Sequence, residues 1–285
     1  MVYSTDDIVV ATSLQSFKYI FASTATFWTY DYACSLHEEW TFLLRSHWSK
    51  MKGLYIVTRY LPFIFLATNL YMSVTPNENP AKCRVLANIE SGLGIALVIL
   101  SECFFILRTY VLWNKNRILL AAILCTLFIF VIVSFSVTFD TTVPAAYTTS
   151  AIPGITGCHR SSTSHRLFIP FLLFSVFELG LMILTLIRAI QSSRTNPSHL
   201  YAVLLNHNIS YYACSLLFSV TTVFILLLLQ HTYQTILDSF QFTILATLAT
   251  RMHLHLWQVN RHPHGSTSAL VHIPMSDISF ANPME

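Results

Sequence analysis

Charged side chains inside apolar stretches are the residues of this sequence with the clearest chemical potential. A charge in such a place is costly unless it pairs, meets a polar ligand or is neutralised. The chemistry open to these side chains is therefore ion pairing, cation binding or proton transfer. The residues concerned are Asp31, Arg59, Glu102, Arg108, Glu178 and Arg251.

The composition shows which solvent surrounds these charges. Only 10% of the 285 residues are charged and 54% are hydrophobic, whereas soluble domains carry about 25% charged residues. This largely excludes water-soluble enzymes. A net charge of +3 is too small for a nucleic-acid binder. The expected partner of most of the surface is therefore a lipid bilayer.

Seven stretches are long and apolar enough to span a bilayer, which takes roughly 20 residues of helix. The sequence thus predicts an all-α, polytopic seven-helix bundle, although the first and seventh stretches are more polar than the others. The predicted spans are Phe17–Leu36, Leu54–Val74, Ile89–Val111, Ile118–Thr138, Leu167–Ile187, Ile209–Leu229 and Ile236–Trp257.

The distribution of Lys and Arg predicts the orientation of the bundle. No basic segment precedes the first span, so we expect that span to be retained rather than cleaved as a signal peptide. With the N-terminus outside, inner loops and tail hold eight Lys and Arg residues against four outside, which favours N-out and C-in. This divides the chain into an extracellular segment 1–16, a membrane domain 17–257 and a disordered cytoplasmic tail 258–285. The sequence does not distinguish the plasma membrane from an endomembrane.

Asp31 and Arg59 are expected to form an ion pair. Each lies five residues from the inner end of its predicted span, at a depth of ~7–8 Å. Adjacent antiparallel helices bring residues at equal depths close to each other. In the alternative, Arg59 extends to the inner headgroups and Asp31 is protonated or solvated.

The other buried charges fall into two groups. Arg108 and Arg251 lie toward the inner ends of their spans and are predicted to form a basic layer with Arg59 or to reach lipid phosphates. Glu102 and Glu178 lie near the bilayer midplane, where they could pair with Arg108 or Arg251, hydrogen-bond to a neighbouring helix as neutral acids, or bind a cationic ligand or protons.

The cysteines predict one disulfide. Of six cysteines, only Cys83 and Cys158 fall together on the predicted outer side, where disulfides form. Cys158 lies in the long connection from Phe139 to Arg166, which we expect to fold back over the mouth of the bundle. A disulfide from Cys83 to Cys158 would anchor that connection, whereas the alternative is two free thiols.

Several motifs resemble a large family of seven-helix membrane proteins of basidiomycete fungi. The N-terminal part of that family, here about residues 20–65, is known as a domain of unknown function. Thr58 departs from the pattern, where Asn is expected. The resemblance implies a fungal integral-membrane protein and no biochemical activity. The motifs are Tyr30-Asp31-Tyr32, Glu38-Glu39 with Trp48, Arg59-Tyr60-Leu61-Pro62, Glu102, Leu107-Arg108-Thr109-Tyr110 with Trp113, Pro153-Gly154 with Cys158, and Thr250 to Leu256.

Three functions are compatible with this pattern. A receptor-like protein with an outer ligand pocket and a cytoplasmic signalling partner is favoured, its ligand unknown. A transporter or channel would use Glu102 and Glu178. A lipid-modifying enzyme is disfavoured because no catalytic, cofactor or metal motif is recognisable. His253 and His255, two residues apart on one helix, cannot easily share an ion, and the histidines are expected to be solvated or interfacial.

Overall fold

The computed structural model describes residues 5–46, 48–74, 80–142, 147–149, 158–160, 168–195, 199–228 and 234–261. This part of the chain contains seven α-helices and one two-stranded antiparallel sheet. The helices are α1 (Thr5–Arg45), α2 (Lys50–Val74), α3 (Pro80–Leu112), α4 (Arg117–Thr142), α5 (Phe168–Thr195), α6 (His199–Leu228) and α7 (Gln234–Arg261).

Five of the helices, α2 to α6, are long and apolar enough to cross a membrane. The helices α1 and α7 fall short of that composition, as their polar character suggested. Both extend beyond their predicted spans: α1 runs from Thr5 to Arg45 rather than from Phe17 to Leu36, and α7 continues to Arg261. The predicted segments 1–16 and 258–285 therefore both include helix. Residues 262–285 lie outside the described chain.

The connection from α3 to α4 is a tight turn. Asn114 and Lys115 both have positive φ, at 54° and 57°, and the backbone N–H of Lys115 donates to the carbonyl of Tyr110 at 3.0 Å. The side chain of Asn116 then begins α4, because its Oδ1 accepts from the N–H of Ile118 at 3.0 Å.

Pro62 lies in the interior of α2. A proline has no N–H, so the carbonyl of Thr58 loses its usual helical donor. This local break in the helix ladder lies close to Arg59.

A small hairpin forms in the long connection before α5. Its strands are β1 (Tyr147–Thr149) and β2 (Cys158–Arg160), which pair in antiparallel register with Thr148 opposite His159. Strand β1 contacts α3. The prediction that this segment folds back on the bundle agrees with that contact.

The core of the bundle is built around α3 and α7. The helix α3 packs against α2, α4, α5 and α7, and α7 packs against α1, α2, α3 and α6. A Cβ added to Gly94 of α3 would lie 2.7 Å from a ring carbon of Phe242 in α7. A hydrogen in place of a side chain at this position lets the two helices approach.

Candidate functional site

The most extensive charged arrangement is centred on Arg59, which is 1% exposed. Its Nη1 donates to Asp31 Oδ2 at 3.2 Å, and its Nε donates to Glu39 Oε2 at 3.2 Å. Its Nη2 donates to the hydroxyl of Ser35. The structure thus brings Asp31 and Arg59 together as the sequence predicted, and it adds two further α1 side chains.

The three α1 partners occupy one face of the helix. Asp31, Ser35 and Glu39 are spaced four residues apart, so they lie above one another on successive turns. The Ser35 hydroxyl also donates to the carbonyl of Asp31 at 2.9 Å, which fixes its orientation. The planar guanidinium has five donors in a rigid fork, and it spans these two turns.

Arg251 of α7 supplies the second positive charge. Its Nη2 lies 2.5 Å from Asp31 Oδ1, and its side chain is 45% exposed. Asp31 therefore bridges two arginines from different helices. We call Asp31, Ser35, Glu39, Arg59 and Arg251 the arginine cluster. It joins α1, α2 and α7, and its two positive and two negative formal charges cancel.

Aromatic rings cover the Arg59 guanidinium. The ring of Trp28 lies 5.3 Å from its central carbon, and that of Tyr32 lies 5.4 Å away. Both distances are within the range of a cation–π contact. The Tyr32 ring also meets Phe63 edge to face at 5.3 Å. The arginine is therefore enclosed between carboxylates and ring faces.

A second polar group lies among α3, α5, α6 and α7. Glu178 of α5 accepts a hydrogen bond from Ser215 at 2.6 Å, and Gln241 of α7 donates to Ser219 at 3.0 Å. Ser219 is also within hydrogen-bonding reach of Glu178. Glu102 of α3 is fully buried beside Glu178. We call Glu102, Glu178, Ser215, Ser219 and Gln241 the glutamate cluster.

The predicted pairing of a midplane glutamate with Arg108 or Arg251 is wrong for Arg251, which binds Asp31 instead. Arg251 does not form a purely basic layer with Arg59 either, because both arginines share the same carboxylate. Arg108 is half-buried and acts electrostatically on Tyr212 and His253. It therefore lies where α3, α6 and α7 pack together.

His253 corrects a further expectation. It is buried, whereas a solvated or interfacial histidine was expected. Its ring meets that of Phe42 edge to face at 5.6 Å, and the rings of Tyr55 and Phe104 lie 5.8 and 5.4 Å away. An imidazole in this apolar setting contributes to packing. Among the described residues, no group of three or more His, Cys, Asp and Glu side chains could hold a metal ion.

Two other basic side chains cap the ends of helices. Lys52 donates to the carbonyls of Leu43 and Ser46 at 2.7 and 2.9 Å, at the end of α1. Arg188 of α5 donates to the carbonyl of Leu112 at 3.0 Å, at the end of α3. Carbonyls at a helix C-terminus lack intrahelical donors and carry partial negative charge, so both contacts stabilise the ends that the cations reach.

The predicted disulfide involves Cys158, whose side chain is not among those that the structure describes. Cys83 is buried near the start of α3, and Cys158 is the first residue of β2, but only the backbone of Cys158 is described. The cysteines with free thiols among the described side chains are Cys34, Cys103, Cys125 and Cys214. The Cys83–Cys158 pairing stays a prediction.

Residues 19–64 match a family model described as "Family of unknown function (DUF6533)". No curated protein and no solved structure matches the chain. The matched segment corresponds to most of α1 and the first part of α2. It therefore contains four members of the arginine cluster and the aromatic rings that cover Arg59, and it stops short of Arg251. The match agrees with the N-terminal motifs of the sequence and carries no activity.

Proposed function

We propose that the chain is a seven-span membrane protein, N-out and C-in, that transmits a conformational signal from an outer ligand pocket to a cytoplasmic partner. The proposal includes the finer assignment suggested by the motifs, a basidiomycete fungal protein of the seven-helix family. It involves no catalytic step and no cofactor.

The observation that carries this proposal is the double role of α7. Gln241 places α7 in the glutamate cluster, and Arg251 places it in the arginine cluster. The two residues are ten positions apart, or about 15 Å along a helix. A shift of α7 would change both clusters together, because the helix also packs against α1, α2, α3 and α6. Such an element has the rigidity and the contacts needed to couple two sides of a bundle.

In this proposal, the Arg251–Asp31 contact has two states, formed and open. Arg251 reaches Asp31 with a partly exposed side chain, whereas Arg59 holds the same carboxylate from the buried side. If Arg251 leaves Asp31, Arg59 keeps that carboxylate hydrogen-bonded through its Nη1. The contact can therefore open without exposing an unpaired charge in the core, which is the requirement for a low-energy switch.

The test is proximity labelling from the cytoplasmic tail in the cell that makes the protein. We expect signalling proteins, such as G-protein subunits, to be labelled by the wild type and labelled at least threefold less by Arg251→Gln and Arg108→Ala. Arg84→Gln is the matched control, since Arg84 is exposed near the start of α3. Equal labelling by all variants at equal surface levels, or labelling only of lipid-metabolic enzymes, would contradict the signalling role.

Cation or proton transport is the second candidate, and the buried Glu102 and Glu178 side chains favour it. A transporter needs polar groups that take a charge through the middle of the bundle. Flux of Na⁺ or protons into vesicles containing the purified protein, lost in Glu102→Gln, would support transport over signalling. Absence of flux in wild-type vesicles would remove this candidate.

A further inference from the structure

The glutamate cluster has more buried acceptor atoms than donors. Both carboxylate oxygens of Glu102, Oε2 of Glu178 and Oε1 of Gln241 are buried without a hydrogen-bond donor among the described residues. The Oγ of Ser101, the neighbour of Glu102 on α3, is likewise buried and unpartnered. Buried polar atoms are nearly always satisfied, so this concentration of oxygens points to a group that they bind.

The unpartnered oxygens come from different helices. Glu102 lies on α3, Glu178 on α5 and Gln241 on α7, and Glu102 and Glu178 interact directly. Gln241 directs its amide toward the cluster because its Nε2 donates to Ser219, which is in reach of Glu178. The amide oxygen of Gln241 is a further buried acceptor without a donor, and it belongs to neither acid. Oxygen atoms from carboxylates, amides and hydroxyls are the ligands that hard cations take.

The charge in the cluster selects the class of ligand. Two carboxylates in contact in an apolar interior cannot both be ionised without a counter-charge. Among the described residues, the charge acting on Glu102 is that of Glu178, and Arg251 is held by Asp31. The pair therefore needs either two protons or one proton and one cation.

We propose that the glutamate cluster binds one small monovalent cation of sodium size, held by Glu102, Glu178 and the Gln241 amide oxygen. The set contains two acidic side chains and no third His, Cys, Asp or Glu among the described residues, which suits a singly charged ion better than a divalent one. Ser219 can supply a further oxygen. The site joins α3, α5, α6 and α7, so the ion would stabilise the packing of these helices.

Thermal unfolding of the purified full-length chain in detergent tests this site directly. NaCl is titrated at constant ionic strength against N-methylglucamine chloride, whose cation is too large to enter the cluster. We expect Tm to increase saturably, by about 3–5 °C at ten times the dissociation constant. No difference between the two salts, or stabilisation by Ca²⁺ without stabilisation by Na⁺, would overturn the proposal.

Variants assign the effect to the cluster. Glu102→Gln removes a carboxylate and should abolish the response to Na⁺, whereas Glu90→Gln should keep it, because Glu90 is a half-buried glutamate of the same helix about 18 Å away. Ser219→Ala retains both acids and should weaken the apparent affinity for Na⁺ several-fold. Should Glu102→Gln not fold, the wild-type titration and Ser219→Ala decide.

Protons are the competing occupant. A Tm that depends on pH but is unchanged by Na⁺ at every pH would show that two protons neutralise the pair, and the cation site would be rejected. A response to Na⁺ that weakens as the pH falls would support the site. This test involves neither a signalling partner nor flux, so its outcome is separate from that of the proposed function.

Discussion

Arg59 shows why a single residue can organise the packing of two helices. Its guanidinium donates to Asp31, Ser35 and Glu39 while two aromatic rings cover its faces. A lysine could not reproduce this arrangement, because its ammonium is a point charge without a planar fork. The geometry, more than the charge alone, therefore requires an arginine at this position.

Glu39 and Glu38 provide a matched pair for testing the arginine cluster. Glu39 is buried against Arg59, whereas its neighbour Glu38 is exposed. We expect Glu39→Gln to destabilise the protein by about 2–3 kcal/mol, because it replaces the carboxylate that is paired with the buried Arg59 by a neutral amide. Glu38→Gln should change stability by less than about 0.5 kcal/mol. Thermal unfolding in detergent measures both, and equal effects would show that Glu39 does not stabilise Arg59.

The sequence predicted part of the arginine cluster and missed the rest for identifiable reasons. Asp31 and Arg59 were paired from their equal depths in adjacent helices. Glu39 was not predicted as a partner of Arg59, because the predicted first span ends at Leu36 and Glu39 lies beyond that end. The spacing of Asp31, Ser35 and Glu39 at four residues was the available signal. The contact of Arg251 with Asp31 depends on how α7 packs beside α1, which no local pattern encodes.

At the scale of helices, the approach of α3 to α7 depends on Gly94. We expect Gly94→Ala to destabilise by about 1–3 kcal/mol, because its Cβ would overlap the Phe242 ring. Gly92→Ala is the control on the same helix, since a Cβ there meets no atom within 4 Å. Gly92→Ala should stabilise the protein by up to about 1 kcal/mol, because alanine has the higher helix propensity. A lower Tm for Gly94→Ala and a higher Tm for Gly92→Ala would support this packing of α3 on α7. A higher Tm for both variants would contradict it.

The hairpin before α5 is expected to be fixed by a Cys83–Cys158 disulfide. Intact-mass analysis after alkylation without reductant should count four modified thiols, which are the described free cysteines Cys34, Cys103, Cys125 and Cys214. Six modified thiols would reject the bond. The Cys83→Ser and Cys158→Ser variants should lower Tm to the same extent, because removing either thiol breaks the same bond.

The secondary structure was largely predictable because apolar runs of membrane length are a strong signal. The α3–α4 turn and the centres of the helices followed from it. The helix ends did not, since α1 continues through polar residues at both ends of its apolar run. The hairpin was also missed, because its strands are only three residues long.

For the whole molecule, α1 and α7 are the helices that decide the architecture. They are more polar than the other five helices, which are long and apolar enough to cross a membrane. Three of their charges are, however, paired within the bundle, since Asp31 and Glu39 of α1 contact Arg59, and Arg251 of α7 contacts Asp31. Internal neutralisation lowers the cost of placing such helices in hydrocarbon. We therefore expect both to cross the membrane with their neighbours.

Accessibility of tags at the two termini tests this expectation most directly. The protein is expressed with one epitope tag before Met1 and another after Glu285, and antibody binding is compared in intact and permeabilised cells or sealed vesicles. Seven crossings predict that the two tags lie on opposite sides, the N-terminal one outside. Detection of both tags on the same side would contradict an odd number of crossings, and with it the assignment of α1 and α7 as membrane spans.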